Sequence, residues 1–118
     1  MKKILFLVST VFLIACQAVL LTVPTQSDLD RVADKYPNYT LAELQEGKKM
    51  YELHCQTCHS LKSPTKETEE GWKHEVPDMV AKAKKKKGII IDKKTEESIL
   101  KYLVTMSSAP KPVKSNSK

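Results

Sequence analysis

Cysteine is scarce in this chain of 118 residues. There are three, Cys16, Cys55 and Cys58. A multiply stapled disulfide scaffold, the usual device of a small exported domain, is therefore excluded. With Cys16 inside an apolar leader, the tight Cys55–Cys58 pair is the one disulfide open to the remainder. Glycine is equally sparse, with three residues, and no glycine-rich phosphate loop is present. No Ser–His–acid set, no defensible carboxylate pair, no internal repeat and no convincing strand can be read, although Ile89-Ile90-Ile91 is β-branched. A single small domain that lacks staples needs a metal, a cofactor or a partner to be comfortably stable.

The apolar residues are unevenly placed. Residues 1–15, MKKILFLVSTVFLIA, join two lysines to an apolar run. This is the n-region and h-region pattern of a secretory signal peptide. The run is short for a membrane span of about 20 apolar residues. An uncleaved helix continuing through Ala18-Val19-Leu20-Leu21 is the alternative. Leu13-Ile14-Ala15-Cys16 resembles a bacterial lipobox, which implies cleavage before Cys16 and lipidation of that cysteine. Its alternative is an ordinary apolar Cys16 with cleavage after Ala18. Several acyl chains at one residue would anchor the protein firmly, where a single chain would not. The formal charge is +6, and loss of Lys2 and Lys3 with the leader leaves +4. That balance favours acidic partners or acidic membrane surfaces.

Residues 16–39, with Pro24, Pro37, Ser, Thr and Asp, read as a tether between membrane and domain. Thr40-Leu41-Ala42-Glu43 has the spacing of a capping box, and a helix is expected over about 41–54. Gly47 lies inside that helix, at a cost of about 1 kcal/mol against alanine, and suggests close approach by a second helix, with plain tolerance of one glycine as the alternative. Ser60–Thr68 is expected to be a loop. Residues 69–84 carry Trp72, Val76, Met79, Val80 and Ala83 at helical spacing, with Pro77 expected to kink the segment or start a new helix. Lys84-Lys85-Lys86-Lys87-Gly88 reads as a helix C-terminus. Asp92 is placed to cap a last helix over about 93–106, and 107–118 reads as a disordered tail. The fold class is all-α.

The chemistry concentrates in Cys55-Gln56-Thr57-Cys58-His59. C-x-x-C-H reads as a c-type haem attachment. Two thiols three apart at a helix end project to nearly one side, so each can form a thioether with one vinyl group, and His59 can offer a nitrogen to iron. Other readings are a thioredoxin-like redox pair, which expects a βαβ pattern that is absent, a zinc site, which expects about four ligands, and a plain disulfide.

Gly47-x-x-x-Tyr51-x-x-x-Cys55-x-x-Cys58-His59, then Trp72 seven residues before Met79, then Ile99-Leu100-Lys101-Tyr102-Leu103, resembles the small bacterial class I c-type cytochromes. The resemblance covers about residues 40–106. It implies a small helical domain wrapped around one covalent haem c, with Gly47 and Tyr51 meeting the C-terminal helix. His59 and Met79 are the implied iron ligands, and Trp72 is a pocket wall or else a core anchor. Met106 and His74 are the other candidates for the sixth position, and core filling is the alternative role of either methionine.

Iron with both axial positions filled has no site for a substrate, so the expected function is electron transfer and not enzymatic catalysis. The partners would be redox proteins, with acidic ones suited to Lys82 and Lys84–Lys87, and the membrane through the N-terminal lipid. No nucleic acid and no small-molecule substrate are expected. The protein would be exported and anchored, facing the periplasm or the outer surface. Two other functions fit the same residues: a haem-based sensor or binder of small ligands, and a fixed haem subunit of a larger membrane redox enzyme.

Overall fold

A computed structural model describes residues 21–56 and 60–110. The leader, Cys16, Cys58, His59 and the tail beyond 110 lie outside the described residues. Four α-helices follow in chain order: α1 (Gln26–Asp30), α2 (Leu41–Cys55), α3 (Glu69–Lys87) and α4 (Lys93–Ser107), with a 3-10 turn at Pro64–Lys66. No strand occurs among the described residues, which agrees with the all-α expectation. No helix among them is long and apolar enough to cross a membrane.

Local chemistry sets the helix ends. The Thr40 hydroxyl accepts from the Glu43 amide at 3.2 Å, and the Glu43 carboxylate accepts from the Thr40 amide at 2.8 Å, completing the expected capping box. The Thr68 hydroxyl starts α3 by accepting from the Gly71 amide, and Asp92 starts α4 by accepting from the Thr95 amide at 2.7 Å. Gly88 ends α3 in the left-handed region, φ 66°, where a side chain would be strained. Its amide reaches the Lys84 carbonyl, and the Ile89 amide reaches that of Ala83.

Pro77 does not restart α3, which runs as one helix from Glu69 to Lys87. Proline removes one backbone donor there. Its ring is exposed, while Trp72, Val76 and Ala83 on the buried side hold the two halves against the rest of the domain.

α4 is the centre of the bundle. It packs against α1, α2, α3 and the 3-10 turn. Ile99 and the run from Tyr102 to Met106 are buried. Tyr51 joins them, with its ring centroid 5.9 Å from Tyr102 and 6.3 Å from Trp72. Gly47 sits where α2 crosses α4. A Cβ added there would lie 2.6 Å from the Ser98 carbonyl oxygen and 2.7 Å from Tyr102 Cβ. Gly47→Ala gains about 1 kcal/mol of helix propensity but incurs an overpacking cost of about 1–3 kcal/mol. Because backbone is in the way, we expect a net loss of about 1–2 kcal/mol, read as a lower thermal midpoint. An unchanged or raised midpoint would contradict the close crossing.

Burial pushes the Tyr51 phenol up from its ordinary 10.0 to about 12 and raises Tyr39 and Tyr102 as well. The unfolded chain loses these protons first. The stabilisation is therefore intact below pH 10 and disappears as pH rises through about 12. For Tyr51 alone that is on the order of 2–3 kcal/mol. Thermal midpoints at a series of alkaline pH values should fall across this window, and the fall should shrink in Tyr51→Phe.

The segment 21–39, expected to be a tether, is partly folded. Pro24 and Val32 are buried, and Leu21, Leu29, Tyr36 and Tyr39 pack against the core. The apolar residues responsible are spaced too irregularly to show as a periodic stripe.

Candidate functional site

The last turn of α2 brings Cys55 to the wall of a cavity of about 370 Å³. This volume is at the lower end of the range of about 300–1,000 Å³ typical of ligand and cofactor sites. Met79, Val76, Val80 and Ala83 of α3 line it, as do Ile91 and Ile99. The helical spacing of 76, 79, 80 and 83 turns these four side chains toward one side of α3. The rim is charged. Lys62 pairs with Glu75 at 2.7 Å, and Lys82 pairs with Asp78 at 2.6 Å. The hydrogen bond to Glu75 raises the Lys62 ammonium, and that to Lys82 lowers the Asp78 carboxyl. The Lys82–Asp78 pair is exposed and contributes little to stability, while the Lys62–Glu75 pair is part-buried. Lys86 completes the rim. Lys84, Lys85, Lys86 and Lys87 are exposed and make no ion pair with another described residue.

The segment Thr57-Cys58-His59 lies between two fixed points. On one side is Cys55, the last residue of α2. On the other, the Tyr51 hydroxyl donates to the Lys62 carbonyl at 2.9 Å. Tyr51 is one helical turn before Cys55, so a single aromatic residue links the helix to the strand of chain that returns after His59.

The candidate sixth ligands separate clearly. Met79 lines the cavity with Cys55 and is half-buried. Met106 is in the core at 4% exposure and does not line the cavity, in keeping with the role of core filler. His74 is exposed on α3, also outside the cavity lining. Trp72 is fully buried but is not a lining residue. Its indole N–H donates to the Pro64 carbonyl at 2.8 Å, tying α3 to the 3-10 turn, and of its two expected roles the core anchor describes its position.

Of the four residues expected to hold a haem, Cys55 and Met79 are among the described residues. A thiol-bearing helix end, a thioether side chain and an aliphatic lining meet in one cavity. Among the described residues no group of three or more His, Cys, Asp or Glu side chains is gathered to hold a metal ion. Sequence reading did not assign Lys62, Glu75, Asp78, Ile91 or Ile99 to the site. The Lys62–Glu75 pair spans thirteen residues and leaves no local signal. Ile99 is visible only as a core position.

No known protein family, no curated protein and no solved structure matches the chain.

Proposed function

We propose that this chain is a single-haem c-type cytochrome that carries one electron at a time between redox proteins on the exported side of a bacterial membrane, held there through Cys16. The observation that carries the reading is the shared cavity: Cys55, at the end of the helix leading into C-x-x-C-H, and Met79 line one aliphatic space. Cys55 and Cys58 would hold the haem through thioethers, and His59 and Met79 would ligate its iron. The haem supplies a one-electron iron couple. Val76, Val80, Ala83, Ile91 and Ile99 exclude water from that space, and methionine ligation favours a high potential. The charged rim, including Lys86, is the surface a partner meets first, and Lys84–Lys87 would steer acidic partners at rates that fall with salt.

The test is a visible absorption spectrum of the purified mature protein, oxidised and reduced, before and after acid–organic extraction. Colour that resists extraction, with sharp low-spin reduced bands, is the expected result. Colour that extracts, or no colour, would refute haem attachment and make zinc analysis the next step. A high-spin spectrum would favour a ligand-binding protein over an electron carrier.

A further inference from the structure

The cavity wall carries more lysines than its own acids take up. Lys62, Lys82 and Lys86 line it with Glu75 and Asp78. Lys62 is bonded to Glu75 at 2.7 Å and Lys82 to Asp78 at 2.6 Å. Lys86 has no acidic partner among the described residues. A surplus cation on the wall of an aliphatic cavity suits an anionic group on whatever fills it.

The two ends of the cavity are distinct. The Tyr51 hydroxyl donates to the Lys62 carbonyl, and the Lys62 ammonium meets Glu75. The Tyr51 phenol also feels the charge of both Cys55 and Glu75. Glu75 is therefore at the Cys55 end. Lys86 is eleven residues further along the unbroken helix α3, about 16 Å. Ile91, past the Gly88 cap, lines the cavity as well, so the space extends to that end. Met79 and Lys82 fall between, about one and two turns beyond Glu75. The order along the cavity is then Cys55, Met79, Lys82 and Lys86.

We propose that Lys86 binds a carboxylate of the haem at the end of the cavity away from Cys55. The inference deepens the proposed function and rests on its haem reading. A c-type haem is joined through its vinyl groups, and its carboxylates leave the opposite edge of the ring, beyond the iron. The order of thiol, methionine and surplus cation along the cavity matches that of vinyl group, iron and carboxylate. Glu75 and Asp78 already occupy Lys62 and Lys82, which leaves Lys86 for the ligand's own acid. Lys84, Lys85 and Lys87 do not line the cavity and stay available to partners.

The test is the reduction potential of the purified mature protein followed against pH, once acid–organic extraction has established covalent haem. Ionisation of a haem carboxylate puts a negative charge near the iron, which favours the oxidised state, so the potential steps down. A neighbouring cation draws that step to lower pH. Lys86→Gln should move the step to higher pH, with the carboxylate's ionisation constant weakened about twofold to fivefold, the scale of an exposed ion pair. Lys86→Arg should keep the step where it was. Lys85→Gln makes the same change of charge one residue away, outside the cavity lining, and should not move it. Lys86 is exposed, so its variants should fold as the parent does. His54, Lys62, Glu75, Asp78 and Lys82, the other titratable side chains on the cavity wall beside the thioether-bound Cys55, are common to all four proteins. An absent step, an unmoved step in Lys86→Gln, an equal move in Lys85→Gln, or a uniform drop of the whole curve would overturn the inference and leave the haem reading intact. Haem that extracts would overturn that reading, and the inference with it.

Discussion

Met79→Ala should abolish the weak methionine–iron absorption band and lower the reduction potential by something on the order of a hundred millivolts, within the span of about 0.8 V that axial ligands command. The expectation rests on placement. Met79 lines the cavity with Cys55, whereas Met106 is in the core and His74 is exposed outside the lining. Stability should fall less than for a core methionine, because Met79 is only half-buried. Covalent colour should survive, since Cys55 and Cys58 are the residues proposed to hold the haem. If the band and potential are unmoved in Met79→Ala but lost in Met106→Ala, the assignment is wrong. The second variant must then be checked for folding, because deleting a core methionine costs about 2–5 kcal/mol.

Trp72→Ala should be among the most destabilising single changes in the domain. Truncating a buried tryptophan costs about 3–5 kcal/mol. Here the loss includes the indole hydrogen bond to the Pro64 carbonyl and the edge contact with Tyr51. Against a total of about 5–15 kcal/mol for a folded domain, that is a large share. Denaturant unfolding of the mature protein measures it. Trp72→Phe, which keeps most of the apolar volume, should lose less. A change below about 1 kcal/mol in Trp72→Ala would rule out the anchoring role. A spectrum that changes while stability holds would make Trp72 a wall of the haem pocket instead.

Much of this architecture is legible because its signals are local. Thr40 with Glu43, Asp92 and Gly88 mark helix ends within four residues of their partners, and the structure puts caps at each; the Thr68 cap was not read. Gly47 announced a close crossing because few other reasons put a glycine inside a helix, although nothing nearby named Ser98 and Tyr102 as what it meets. Pro77 starts no second helix, because the packing of Trp72, Val76 and Ala83 outweighs one missing backbone donor. The folding of residues 21–39 was hidden for a different reason. It depends on single apolar residues reaching a distant helix, and on Tyr36 and Tyr39 meeting Lys101 more than sixty residues later. C-x-x-C-H stood out by its spacing, and Met79 by its place in the resemblance to c-type cytochromes. Of the charged rim, the Lys62–Glu75 pair did not, since it spans thirteen residues, whereas Asp78 and Lys82 are four apart on one helix.

The central position of α4 sets an order of assembly. Under the proposed export, the chain arrives across the membrane N-terminus first. The faces of α2, α3 and the 3-10 turn that α4 covers stay uncovered until residues 99–106 have arrived. Cys55 belongs to the part delivered early, so its thiol precedes the helix that completes its surroundings. During that interval, under the same proposal, the two thiols would meet either a haem or each other. Slower arrival of the C-terminal third would lengthen the interval, and a truncation before α4 would make it permanent without removing any residue proposed to touch the haem iron.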